Sequence, residues 1–260
     1  MVRKPAVAGS FYPAEPIELA RMVEELLAMA GGPLSHAPKA VVAPHAGYVY
    51  SGPVAAYSFR ALEPRAGENP TVFVMGPAHY VAFEGVSTGS FTFWETPLGK
   101  IEVDTERVAE LLERSPLFNA AAEPHLPEHS LEVELPFLQT VLGEFKLVPL
   151  LFGVTDPIAA GAHLEAVVRP GDVVVVSSDL SHYHPDDEAR EIDAATLETA
   201  LARDAAGLLE REACGRLPWA ALTALALARD WRPELLAYAT SGDTSGDRSR
   251  VVGYAALRYD

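Results

Sequence analysis

Cysteine is almost missing from this chain. Cys214 is the only one in 260 residues, so no internal disulfide can form and a reducing compartment suits it. Lysine is scarce as well, four against sixteen arginines, and acidic residues outnumber basic ones by 36 to 20. A net charge of −16 leaves no basic face for phosphate backbones and excludes nucleic acid as a partner. No apolar run approaches the roughly 18 residues that a membrane-spanning helix needs. The opening MVRKPAVAGSFYP lacks an apolar core of signal-peptide length. The expectation is a cytoplasmic protein that engages neither membrane nor nucleic acid. Also lacking are G-x-G-x-x-G, a P-loop, H-E-x-x-H and G-x-S-x-G, and with them the usual marks of nucleotide binding, helix-borne zinc and serine hydrolysis. Ser177, Ser178 and Ser181 do lie beside Asp179 and His182, but they crowd one loop. A working triad draws its members from separate segments.

What is present centres on VVVVSSDLSHYHP, Val173 to Pro185. Four consecutive valines read as a strand buried on both faces, as in a parallel sheet. A polar loop follows, which is where open α/β sheets place their chemistry. AVVAPHAGY (Ala40–Tyr48) and TVFVMGPAHY (Thr71–Tyr80) repeat the pattern of a short apolar run, then proline, then histidine. Parallel neighbours would bring His45, His79 and His182 to one edge of one sheet.

The remaining segments alternate between the two periods. Pro16–Ala30, Gly52–Leu62, Glu106–Arg114 and Pro157–Val168 read as helices, and FEGVSTGSFTFWETPLGKIEVD as a hairpin turning at Pro97–Gly99. LVPLLFGV reads as another buried strand. The stretch from Asp186 to Glu212 reads as one long helix broken near Gly207. Leu235–Thr240 is a strand with the closing VVGYAAL as its antiparallel partner. No linker or repeat interrupts this alternation. The fold class expected is α/β, a single three-layer α/β/α domain over residues 1–260 with a central, largely parallel, mixed sheet.

His45 and His79 are neutral nitrogen donors. One added carboxylate gives the two-histidine, one-carboxylate face of non-haem Fe(II) oxygenases. Asp243, after the Leu235–Thr240 strand, is the expected third ligand, with Asp247 and Glu128 in reserve. Asp179, three residues before His182, is placed to accept an imidazole N–H and fix its tautomer. Of His182 and His184, one faces the site and the other faces away. In PEHSLEVELPF, Glu128 and Glu132 suit the positive end of a helix, while His129 is either a substrate contact or an outer support. Cys214, with no base evident beside it, reads as buried and structural.

RKPAVAGSFYP, APHAGYVYSG, GPAHY, EHSLEVELPFLQ, SSDLSHYH and YATSGD…VVGYAAL, in that order over nearly the whole chain, resemble the MEMO family, whose prokaryotic members are called AmmeMemoRadiSam system protein B. The resemblance implies a fold similar to the LigB superfamily of class III extradiol dioxygenases. It also implies Fe(II), with Cu or Zn as alternatives, on His45 and His79, and His182 as catalytic acid/base. Tyr50 would line the pocket, and Ser241 and Thr244 join it and His129 as substrate contacts. Thr244 stands where the animal protein has a cysteine and the dioxygenases a glutamate, so either Asp243 beside it takes the ligand's place or the metal site is incomplete. The function expected is a metal-dependent oxidoreductase acting with O2 on a small, catechol-like substrate. The alternatives are a scaffold with a vestigial pocket that partners a radical-SAM protein, and Zn-assisted hydrolysis on the same residues.

Overall fold

Val173–Val176 are fully buried and divide between two apolar layers, Val173 and Val175 in one, Val174 and Val176 in the other. The same division runs through Val41 and Val42, Phe73 and Val74, and Leu147 and Val148. Successive strand side chains point to opposite faces, so a strand covered on both sides needs a continuous apolar run.

The protein, a computed structural model, is described over residues 1–32 and 36–260. Its first part runs through β1 (Val2–Arg3), α1 (Pro16–Met29), β2 (Ala40–Ala43), α2 (Tyr48–Arg60), β3 (Thr71–Pro77), β4 (Val86–Ser87), β5 (Phe93–Thr96) and β6 (Gly99–Val103). Then come α3 (Thr105–Arg114), β7 (Phe118–Asn119), α4 (Leu135–Leu142), β8 (Lys146–Phe152), α5 (Pro157–Val167), β9 (Val173–Ser177), β10 (His182–His184) and α6 (Asp186–Leu201). The chain closes with α7 (Ala205–Leu208), α8 (Arg216–Ala228), β11 (Pro233–Thr240), α9 (Ser241–Ser245) and β12 (Val251–Tyr259).

Among the described residues these strands build one 12-stranded mixed sheet, ordered β1-β5-β6-β8-β3-β9-β2-β12-β10 along its main path. The stretch β6-β8-β3-β9-β2 is parallel throughout. β12 runs antiparallel to β2, β10 and β11. Helices α1, α2 and α4 cover one face, and α5, α6 and α8 contribute to the core on the other. This is the three-layer α/β/α domain with a largely parallel sheet that the alternation predicts. No helix among the described residues is long and apolar enough to cross a membrane.

The parallel block positions the site. Register pairs Ala43 with Ser177 and Met75 with Val176, so β2, β9 and β3 end level with one another. The segments that leave those ends begin Pro44-His45, Ser178-Asp179 and Ala78-His79.

Two boundaries differ from the sequence reading. Helix α2 starts at Tyr48, not Gly52, and keeps Pro53 inside it. The hydrogen bond that the proline forgoes would end on the carbonyl of Val49, a residue 65% exposed, where water serves instead. The long helix after Pro185 breaks at Arg203-Asp204, not at Gly207: Arg203 takes φ 57° and the Asp204 carboxylate caps α7 by accepting the Gly207 N–H at 2.8 Å. On the sheet, Gly253 lies where any Cβ would fall 1.9 Å from Asp193 Oδ2 of α6. The same carboxylate accepts the Ser181 N–H at 2.9 Å and the Tyr238 hydroxyl at 2.8 Å, tying α6 and β11 to the loop after β9.

Candidate functional site

His45 leaves the end of β2 and is buried to 2% exposure. Its backbone N–H donates to Asp179 Oδ1 at 2.9 Å, and its ring Nδ1 lies 2.7 Å from Ser177 Oγ. Ser177 Oγ is also 2.6 Å from the Ser130 carbonyl oxygen and 2.7 Å from Glu134 Oε1. A hydroxyl has one hydrogen and two lone pairs, and a carbonyl can only accept. Ser177 therefore donates to Ser130 and accepts from both of the others. That assignment requires a protonated Glu134 and a proton on His45 Nδ1. Burial supplies the first condition, raising the Glu134 pKa well above the usual carboxyl range against the hydrogen bond with Ser177. The second leaves His45 Nε2 with a free lone pair. Burial, and then the neighbouring His79, lower the His45 pKa to about 3, so the ring is neutral near pH 7.

His79, after β3, is held by Glu128. The carboxylate accepts the His79 backbone N–H at 2.6 Å and its ring Nδ1–H at 2.9 Å, then the backbone N–H groups of His129 at 2.9 Å and Ser130 at 3.0 Å. Burial alone would raise the Glu128 pKa. The hydrogen bonds and charge of His79, with the Ser130 N–H, outweigh it and hold the pKa at about 2. An ionised Glu128 engages the Nδ1 side of His79 and leaves Nε2 as its other ring nitrogen, the arrangement by which a carboxylate orients a metal-binding imidazole.

His129 is the third imidazole. Its ring stacks on His79 with centroids 4.7 Å apart and meets His45 edge-on at 5.4 Å. Burial, followed by His45, lowers its pKa to about 3. Its Nδ1 is buried without a hydrogen-bond partner among the described residues, although Glu128 Oε1 lies 3.3 Å away. Ligand atoms of His45, His79 and His129 all fall within 4.8 Å of one another. Three clustered imidazoles, one with an unmet polar atom, fit a divalent borderline metal.

The expected third ligand is elsewhere. Asp243 closes a capping box on α9, accepting the Thr240 N–H at 3.0 Å, and its oxygens meet Arg190 at 2.8 Å and Arg248 at 2.9 Å. It is outside the histidine cluster because its charge is already spent on two guanidiniums. Thr244 is exposed and donates to the Ser241 carbonyl at 3.1 Å, and Ser241 Oγ accepts the Val252 N–H at 3.0 Å, so both hydroxyls serve this cap. Asp247 lies in an exposed turn with Ser249.

Asp179 also differs from expectation. Its carboxylate grips the backbone of His45, while the His182 backbone N–H goes to Glu212 Oε1 at 3.0 Å. Burial pushes Asp179 up to about 6 against the pull of His182 and of the His45 N–H. The His182 ring meets that of Tyr183 edge-on at 5.8 Å. His184 is turned to Glu212 at 3.0 Å and Glu188 at 3.3 Å. Tyr50 stands in the first turn of α2, 45% exposed, and Tyr80 stands edge-on to His129 at 5.7 Å.

Cys214 is not isolated from a base. Its Sγ lies 3.3 Å from His45 Nε2 and accepts the Asp179 N–H at 3.2 Å. Burial, then Asp179, raise its pKa, so it stays a thiol, with the Asp179 carbonyl oxygen 3.6 Å away as an acceptor. Glu132, read as a helix-end charge, forms a fully buried ion pair with Arg3. Arg3 also donates to the backbone carbonyls of His125 and Glu128 and lies 4.6 Å from the Trp94 ring. The first strand thus braces the loop that carries Glu128 and His129.

One pH effect follows from the Ser177 network. Glu134 is neutral when folded and ionised when unfolded above about pH 4.3. Stability is therefore unaffected below that value and falls as pH rises toward the raised folded pKa, by up to about 1.4 kcal/mol per pH unit. Glu134→Gln removes this slope. Urea titrations at pH 5 and pH 8 should show the variant gaining on the parent at the higher pH. A constant difference between the two would mean that Glu134 is ionised in the fold.

A family model described as Memo-like protein matches residues 3–258. A MEMO1 family protein of Methanopyrus kandleri is 41% identical, the alignment covering 100% of this chain and 99% of that one. Another, from Ignicoccus hospitalis, is 39% identical with the same coverage. Among solved structures, an uncharacterized protein from Escherichia coli K12 superposes with TM-score 0.54 at 15% identity, over 84% of this chain and 98% of that chain, a likeness of fold alone.

Proposed function

Taking as premise that the chain belongs to the Memo-like family, we propose that it is a metal-dependent oxidoreductase whose single divalent ion, Fe(II) first among Fe, Cu and Zn, is held by His45, His79 and His129. The observation behind this reading is the trio of imidazoles with ligand atoms within 4.8 Å. A bound ion would supply Lewis acidity and, if iron or copper, redox capacity toward O2 and a small catechol-like substrate.

The chain's own residues do the rest. Ser177 and Glu128 engage the Nδ1 atoms of His45 and His79, which leaves their Nε2 atoms for the ion. Asp179 clamps the His45 backbone. His182 takes a proton from the bound substrate and returns it later, a task suited to an imidazole. Tyr80 offers an aromatic edge beside His129 for a flat substrate.

Anaerobic reconstitution followed by elemental analysis tests the first claim, with one ion per chain expected. Oxygen uptake over a panel of aromatic diols tests the second, with His182→Ala keeping its metal and losing turnover by about 100-fold or more. Tight zinc with no oxygen uptake would point to hydrolysis instead. A chain that takes up no ion would be the scaffold, and its association with a radical-SAM protein becomes the next measurement.

A further inference from the structure

Beside the histidines, a hollow of about 440 Å3 runs along the carboxyl ends of β3 and β8. Its walls are apolar, built from Pro77, Ala78, Phe83, Phe152 and Leu217. Cys214 forms the wall toward His45, whose Nε2 lies 3.3 Å from its sulfur, and Ala78 is followed directly by His79. This is the strand edge at which α/β sheets bind ligands, and the volume suits a molecule of one or two rings. A second hollow, of about 380 Å3 between Asn69, Lys100 and Lys146, lies at the opposite ends of β3 and β8 and touches none of these histidines.

The charge in the first hollow is unusual for this chain. No acidic side chain lines it, in a sequence with 36 of them, and its one cation is the exposed Arg216. Arg190, Arg203, Arg229 and Arg248 each pair with a carboxylate. The Arg216 side chain has no ion pair or hydrogen bond among the described residues. It is also the first residue of α8, a helix without a side-chain cap, so the helix's positive end adds to the same field. A lone guanidinium above apolar walls matches one carboxylate in bidentate contact, whereas a doubly charged phosphate would ask for more cations.

We propose that this hollow binds a small amphiphilic acid, an apolar body with a single carboxylate, the carboxylate on Arg216 and the far end directed at His45 and His79. Arg216 is then the residue that selects the substrate. The assignment of a far end rests on the histidines being the reaction centre, while the acid-binding site itself does not.

Ligand-observed NMR on the full chain, with benzoate and its uncharged counterpart benzamide as probes, tests this. Benzoate should bind at least about tenfold more tightly than benzamide, and Arg216→Gln should erase the difference while Arg216→Lys restores part of it. Leu217→Trp, which fills the hollow, should weaken both probes. The proposal is overturned if Arg216→Gln binds benzoate as the parent does, if the parent fails to distinguish the two probes, or if neither binds at millimolar concentration. His79→Ala separates the two claims. It should lose Fe(II) and keep benzoate, whereas Arg216→Gln should keep Fe(II) and weaken benzoate to the level of benzamide.

Discussion

His129→Ala is expected to lower affinity for a divalent metal by more than about a hundredfold, beyond the tenfold to hundredfold that follows loss of a mere supporting partner. Asp243→Asn is expected to leave that affinity unchanged. The contrast matters because the family resemblance and the geometry point to different third ligands. His129 stacks on His79 and holds a buried nitrogen without a partner. Its ring offers a ligand atom within 4.8 Å of those of His45 and His79, where a metal could take it up. Asp243 would have to leave Arg190, Arg248 and the Thr240 N–H to reach an ion, giving up charge-assisted bonds for one ligand bond. Competition with a chromogenic chelator under anaerobic conditions measures both variants. A metal that survives His129→Ala but leaves on Asp243→Asn would return the third place to the carboxylate.

Glu132→Ala is expected to cost about 3–5 kcal/mol of stability, the penalty for leaving one member of a buried ion pair alone. Arg3 and Glu132 are both at 0% exposure, so neither can recover its charge solvation by turning to water. The carboxylate also accepts the Ala6 N–H at 2.8 Å, the Val7 N–H at 3.1 Å and the Tyr12 hydroxyl at 2.5 Å. Its removal strands these donors together with the guanidinium. A double replacement, Arg3→Met with Glu132→Leu, should recover the part of the loss due to the unpaired guanidinium, but not the part due to the stranded Ala6, Val7 and Tyr12 donors. Urea unfolding reads both. A single variant within about 1 kcal/mol of the parent would show that water reaches this pair.

The parallel block was legible because buried strands need unbroken apolar runs, and Val173–Val176, Val72–Met75 and Ala40–Ala43 have little else to be. Two of the clustered histidines followed, since each stands two residues beyond a strand whose end the register aligns. His129 did not follow. It belongs to no strand end, and its place is set by Arg3 reaching Glu132 across 129 positions and by Glu128 reaching His79 across 49. Pairings at such range leave no local period to read. Cys214 and His45, 169 positions apart, escaped for the same reason. Asp243 is different, because its role was written locally: Thr240 with an acid three residues on is a capping box, and that pattern was available in the sequence.

The strand order has a consequence for assembly. β9 sits between β3 and β2, so the two strands that deliver His79 and His45 are not neighbours and cannot align until residues 173–177 arrive to separate them. Chains that end before Val173 have nothing to hold those imidazoles at their working spacing, whatever else has formed. Uptake of the proposed ion would then report that β9 is in place, and by mass action it would draw that docking step forward.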